Sequence, residues 1–111
     1  MAAIANLKID QGASFSSDVT VTNSDGNVTD LTGYTTEAKM AKSYGASDSD
    51  TITSALASDP TTGVIELTLT DSQTGALDAP ARYVYDVYIT QTSTSTVTRV
   101  IEGVITINPR V

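Results

Sequence analysis

The residues of this chain that could do chemistry are its carboxylates, hydroxyls and tyrosines, because it contains no histidine and no cysteine. Asp25 and Asp30 flank one turn, and Asp48 and Asp50 share one loop, spacings that could offer oxygens to Ca²⁺. A calcium loop needs six or more oxygens, and the Asp-x-Asp-x-Asp-Gly run with a closing Glu is absent. These acids are expected to be solvated loop groups. Glu66 and Glu102 could serve as the acid and base of a glycosidase-like site. Both fall at alternating strand positions, so the expectation is an outer face, with one of them paired to Lys39 or Arg99. Serine and threonine number 31 of 111 residues, but no histidine activates them and no Gly-x-Ser-x-Gly elbow or Gly-rich phosphate loop occurs. Zinc centres built on Cys or His, thiolate nucleophiles and His-based triads are excluded. The expectation is a non-enzyme with no cofactor and no metal. Two tyrosines could equally be contact residues, since Tyr is favoured at interfaces, or fold back over an open end of the domain. Tyr44 lies in a loop, and Tyr88 lies on the minority parity of its strand.

The net charge of −7 comes from ten Asp and three Glu against three Lys and three Arg. Phosphate backbones require basic density, so nucleic acid is disfavoured as a partner, and no polybasic segment addresses an anionic membrane. The N-terminus lacks the charged and apolar regions of a signal peptide. No run approaches the roughly 20 apolar residues of a membrane helix. The protein is expected to be made in a cytoplasm and to stay soluble. At 111 residues it is expected to form a single domain, residues 1–111. With six aromatics and no Trp, its core must be mostly Val, Ile, Leu and Ala.

The element that must carry these groups is Arg82 to Thr90. Tyr83, Tyr85, Val87 and Ile89 share one parity, and Arg82, Val84, Asp86, Tyr88 and Thr90 share the other. This alternation predicts a half-buried central strand. Further strands are predicted at Ile4 to Asp10, from Phe15 through Val21, Tyr34 to Lys42, Thr51 to Ala57, Val64 to Thr70 and Thr96 to Ile107. The fourth of these, poor in apolar residues, is expected at an edge. Asn23-Ser24-Asp25-Gly26 and Asp59-Pro60-Thr61-Thr62-Gly63 are turn signals. Thr70-Asp71-Ser72-Gln73 has the spacing of a capping box and predicts a short helix. Gly103 is expected to mark a bulge or kink. Seven strands at roughly ten-residue spacing, with one short helix before the sixth, predict an all-β fold: an antiparallel β-sandwich of immunoglobulin-like type. A Tyr83 side chain reaching back toward Asp78 would form a tyrosine corner.

Asp30-Leu31-Thr32-Gly33-Tyr34-Thr35 followed by Met40-Ala41-Lys42 resembles the immunoglobulin-like module of tailed-phage structural proteins. The likeness extends to Ser24-Asp25-Gly26, Asp59 to Ile65, Arg82 to Val87 and Glu102-Gly103, and so covers nearly the whole chain. The chain resembles small structural proteins of T4-like cyanophages and the N-terminal domain of phage baseplate upper proteins. The resemblance implies a virion protein whose partners are other virion proteins of the capsid, neck, tail or baseplate, with self-association on the particle a further option. A decoration module is the expected role, and a baseplate or tail adaptor or a carbohydrate-binding module on the host surface is the alternative. Candidate contact residues are Ala2, Ala3 and Ile4 in an N-terminal arm, Tyr44, Tyr88, and Arg110 and Val111 at the C-terminus. Removal of Ala2 to Asn6 is expected to abolish docking and leave the fold intact.

Overall fold

Where apolar and polar residues alternate the chain forms strands, eight among the described residues. They are β1 (Ala3–Ile4), β2 (Leu7–Asp10), β3 (Phe15–Thr20), β4 (Tyr34–Ala41), β5 (Asp50–Leu56), β6 (Val64–Leu69), β7 (Ala81–Gln91) and β8 (Thr96–Asn108). Among the described residues one α-helix, α1 (Asp71–Gly75), lies between β6 and β7. The structure, a computed structural model, describes residues 3–23, 25–45, 49–79 and 81–110. Ala2, Val111, Asp48 and Ser24, singled out above, lie outside the described residues.

The strand order is β1-β8-β7-β4-β5-β6-β3, with β2 continuing β1 along β8. β2 and β3 stand at opposite ends of this order, yet only residues 11–14 join them. Four residues span at most about 14 Å, so the sheet must curl until its two ends lie close together. Ile9, Leu31, Met40, Tyr85, Ile101 and Ile105 pack inside the curl with almost no exposure. β7 is the central strand expected of the tyrosine run. It pairs with β4 on one side and β8 on the other, and Tyr83, Tyr85, Val87 and Ile89 are all buried.

Three expectations are corrected. The sheet is mixed and not purely antiparallel, because β1 and β2 run parallel to β8. The Thr51–Ala57 segment is no edge. Its first half (Asp50–Ile52) pairs with β4 and its second half (Thr53–Leu56) with β6, so β5 carries the chain from one part of the curl to the other. Its low apolar content reflects that change of neighbours, with Ser54 hydrogen-bonded to Thr36 at 2.9 Å. Gly103 does not mark the bulge. The register shift lies where Val87 pairs with Ile101 and Tyr88 with Arg99, leaving Val100 as the extra residue. Gly103 pairs regularly with Tyr85 and makes room: a Cβ there would sit 2.1 Å from the Ala5 carbonyl oxygen.

The turn chemistry follows the sequence. Thr70 caps α1 by accepting from the Gln73 amide, while the Gln73 side chain accepts from the Thr70 amide at 2.8 Å. Asp59 caps a single 3-10 turn over Pro60–Thr62, closed by Gly63 at φ 72°. Asp30 accepts from the Thr32 amide and hydroxyl, Gly33 adopts φ 82°, and Leu31 is fully buried. The buried Thr74 hydroxyl donates to the Ala13 carbonyl at 2.8 Å and accepts from the Gly12 amide, tying α1 to the link between the sheet's ends.

A candidate interaction face around Arg99

On the outer face of β4, β7 and β8, cross-strand register sets side chains in rows. Glu37 lies opposite Tyr88, Lys39 opposite Asp86, Tyr88 opposite Arg99, and Asp86 opposite Glu102. Residues paired in this way share a face. Arg99 is the hub. Its Nη1 donates to Glu102 Oε2 at 2.8 Å, and its Nε lies 3.8 Å from Asp86 Oδ2. The same guanidinium lies 5.7 Å from the Tyr44 ring centroid and 5.9 Å from that of Tyr88. Each such cation–π contact at an exposed site contributes about 0.5–1 kcal/mol. Tyr44 and Tyr88, forty-four positions apart, are thereby held against one side chain.

The Val100 bulge adds an apolar component. A single inserted residue reverses which side chains face outward beyond it. Thr98 therefore pairs with Ile89 on the inner parity, and Val97 joins Arg99 outside, 60% exposed. Ile4, paired with Glu102, is 74% exposed on the same side, and Tyr44 is 53% exposed. Among the described residues four large hydrophobics are exposed, and three of them (Ile4, Tyr44 and Val97) lie around Arg99; Val28 is the fourth.

Burial pushes the Asp86 carboxyl above its ordinary pKa, and Arg99 only partly offsets this. Beneath Tyr44 a shallow cleft of about 310 Å³ is lined by Tyr44, Tyr88, Asp86, Lys39 and Glu37. It offers an aromatic wall, two carboxylates and an ammonium group. Glu66, the other proposed acid, is exposed on β6 opposite Asp18, in a different part of the sheet from Glu102, so the two do not form a site. Among the described residues no cluster of three metal-ligating side chains occurs.

The predicted contact residues separate. Tyr44 and Tyr88 meet at Arg99, and Ile4 is exposed beside Glu102. Arg110 is at the far end of β8, about 35 Å along the strand from Arg99, with its amide donating to Gln11 Oε1 at 3.3 Å. Ala3 and Ile4 form no free arm. β1 pairs with Ile101 and Glu102, the Ala5 amide donates to the Glu102 carbonyl at 2.9 Å, and Tyr85 donates to the Ala5 carbonyl at 2.5 Å. Removing Ala2 to Asn6 would therefore strip part of the fold. Of the pairings expected for Glu66 or Glu102 with Lys39 or Arg99, the structure shows Glu102 with Arg99; the outward position of Val97 was not read from the sequence. The adjacent apolar residues Val100 and Ile101 were the sequence signal that the parity changes there. Set against known proteins, the chain matches no family model and no curated protein.

Proposed function

We propose that this protein is a non-enzymatic structural component of a tailed-phage particle, an accessory module that docks on other virion proteins through the face around Arg99. The observation that carries the docking role is the meeting of Tyr44 and Tyr88 at one guanidinium, on a face that also exposes Val97 and Ile4. Binding energy concentrates in Tyr and Arg anchors, and here they are held in place before any partner arrives. The phage setting rests on the sequence resemblance, two of whose segments, Asp30–Tyr34 and Asp59–Gly63, form capped turns here.

We read the curled sheet as an immunoglobulin-like sandwich. β5 changes partners between β4 and β6 as a strand shared by two layers would, and Tyr83 accepts from the Asp78 amide at 3.1 Å in the manner of a tyrosine corner. Quantitative mass spectrometry of purified particles tests the assignment. A copy number on the scale of the capsid lattice points to decoration, and one matching the tail's rotational symmetry points to the neck or to a baseplate adaptor. Absence from the particle overturns the proposal. Tyr44→Ala combined with Tyr88→Ala is expected to fold normally and to lose at least tenfold in particle occupancy.

The cleft beneath Tyr44 favours one second reading, a carbohydrate site on the host surface, since a ring wall beside Asp86, Glu37 and Lys39 suits a sugar. A glycan array without hits would retire it.

A further inference from the structure

β3 ends the strand order, so among the described residues it pairs with β6 on one side and with no strand on the other. The bonds just past its C-terminal end fix which peptide groups face the open side. The Val21 amide donates to the Gly63 carbonyl at 2.7 Å, and the Val21 carbonyl accepts from the Thr29 amide. Val21 thus turns both groups toward the lane of β6. Alternation along the strand gives Phe15, Ser17 and Val19 the same direction, and it turns the peptide groups of Ser16, Asp18 and Thr20 to the open edge. Ser16, Asp18 and Thr20 are exposed, and Phe15 and Ser17 on the inner parity are only half-buried. On the outer face one row runs Ala55, Glu66, Asp18. Its two carboxylates are directly opposed like charges, and among the described residues neither has a cationic partner.

We propose that the β3 edge receives an extended segment of a partner protein as an added strand, with a lysine or arginine opposite Asp18. An open edge is satisfied by another backbone in register, and the row across the sheet sets the side chain that backbone must carry. Like charges on paired strands are unfavourable, and a cation in the next lane offsets them from the open side. The same two carboxylates repel an acidic strand. They therefore set a second copy, of net charge −7, at a disadvantage and make the edge selective for a basic segment. The residues flanking the cation would lie opposite Ser17 and Val19 on the inner face. They should be apolar, as should the residue opposite half-buried Phe15. This row lies on β3 and β6, whereas the Arg99 face lies on β4, β7 and β8, so docking through Arg99 is not required for it.

A capped Val-Thr-Val-Lys-Val-Thr-Val peptide titrated into the full-length ¹⁵N-labelled chain tests this. Saturable shifts are expected at the amides of Ser16, Asp18 and Thr20, with slowed hydrogen exchange at all three. The same peptide with Glu in place of Lys should bind about tenfold more weakly. Asp18→Lys should reverse that preference, and because Asp18 is exposed and faces Glu66 the variant should fold. Should it fail to fold, the comparison of the two peptides on the unaltered chain still decides. The Lys peptide N-methylated along one edge should lose binding, since the added strand is held by its backbone. The proposal is overturned if no saturable shift is seen up to about 1 mM peptide, if shifts centre elsewhere, or if the Glu or the N-methylated peptide binds equally well. Concentration-dependent self-association that protects the Asp18 amide would also overturn it, by making a second copy the occupant.

Discussion

Tyr83 and Tyr85 on the inner face of β7 and Tyr88 on its outer face are the same residue in the same strand, yet they do different work. The inner hydroxyls are fastened to backbone: Tyr83 accepts from the Asp78 amide and Tyr85 donates to the Ala5 carbonyl. Each closes a distant segment onto the core, the α1–β7 link in one case and the N-terminal strand in the other. Tyr88 and its neighbour Tyr44 hold a guanidinium on the surface and close nothing. A tyrosine whose hydroxyl satisfies a peptide group is a fixture of the fold. One whose ring is presented with a charge is available to a partner.

The largest effect expected from this contrast comes from Gly103→Ala. The new methyl would meet the Ala5 carbonyl and sever it from Tyr85, combining overpacking with a broken hydrogen bond. A loss of about 3 kcal/mol in urea unfolding is expected, and a loss under about 1 kcal/mol would show that the N-terminal strand is not fastened there. Next comes Tyr85→Phe, expected to cost about 1–2 kcal/mol by leaving the carbonyl unpaired. Burial pushes the Tyr85 phenol up to about 12. Its ionised form is therefore disfavoured in the folded state. Stability should hold below the ordinary value of about 10 and fall progressively as pH rises toward 12. The phenylalanine variant should lose that alkaline slope, and an unchanged slope would contradict the assignment.

Tyr83→Phe should cost less, about 0.5–1 kcal/mol, because exposed Asp78 lets water replace the lost acceptor. Tyr88→Phe and Tyr44→Ala belong to the other class and should each move stability by no more than about 0.5 kcal/mol. A larger change would make the outer tyrosines fixtures as well.

The smallest effects are pH-dependent and opposite in sign. Burial raises the Asp86 pKa, so its contribution is greatest below the unfolded value near 4 and is lost as pH rises through the folded value. Asp86→Asn should therefore be slightly stabilising at neutral pH and neutral in acid. The Thr32 hydroxyl and amide lower the Asp30 pKa. Its contribution is present above the unfolded value and is lost as pH falls through the folded one. Asp30→Asn should be destabilising at neutral pH and neutral in strong acid. Denaturation midpoints measured from pH 3 to 8 would expose a pair that shifts in the same direction.

Local signals determined a good deal of this protein without any tertiary information. Period-two alternation marked most of the main strands, and Gly26, Gly63 and the Thr70–Gln73 box marked turns and a cap. Each of those depends on residues within a few positions of one another. The alternation of β7 even separated the inner tyrosines from Tyr88. What the chain could not disclose locally was which edges meet. The parallel pairing of β1 and β2 with β8, the change of partners within β5 and the meeting of Tyr44 with Arg99 join residues up to about a hundred positions apart, and no periodicity records such closures. The Val100 bulge shows the limit most plainly: one unpaired residue reversed the face of Val97, and only pairing against β7 decided where that residue fell. Gly103 carried its meaning in the same way, since its missing side chain matters only because the Ala5 carbonyl was brought against it.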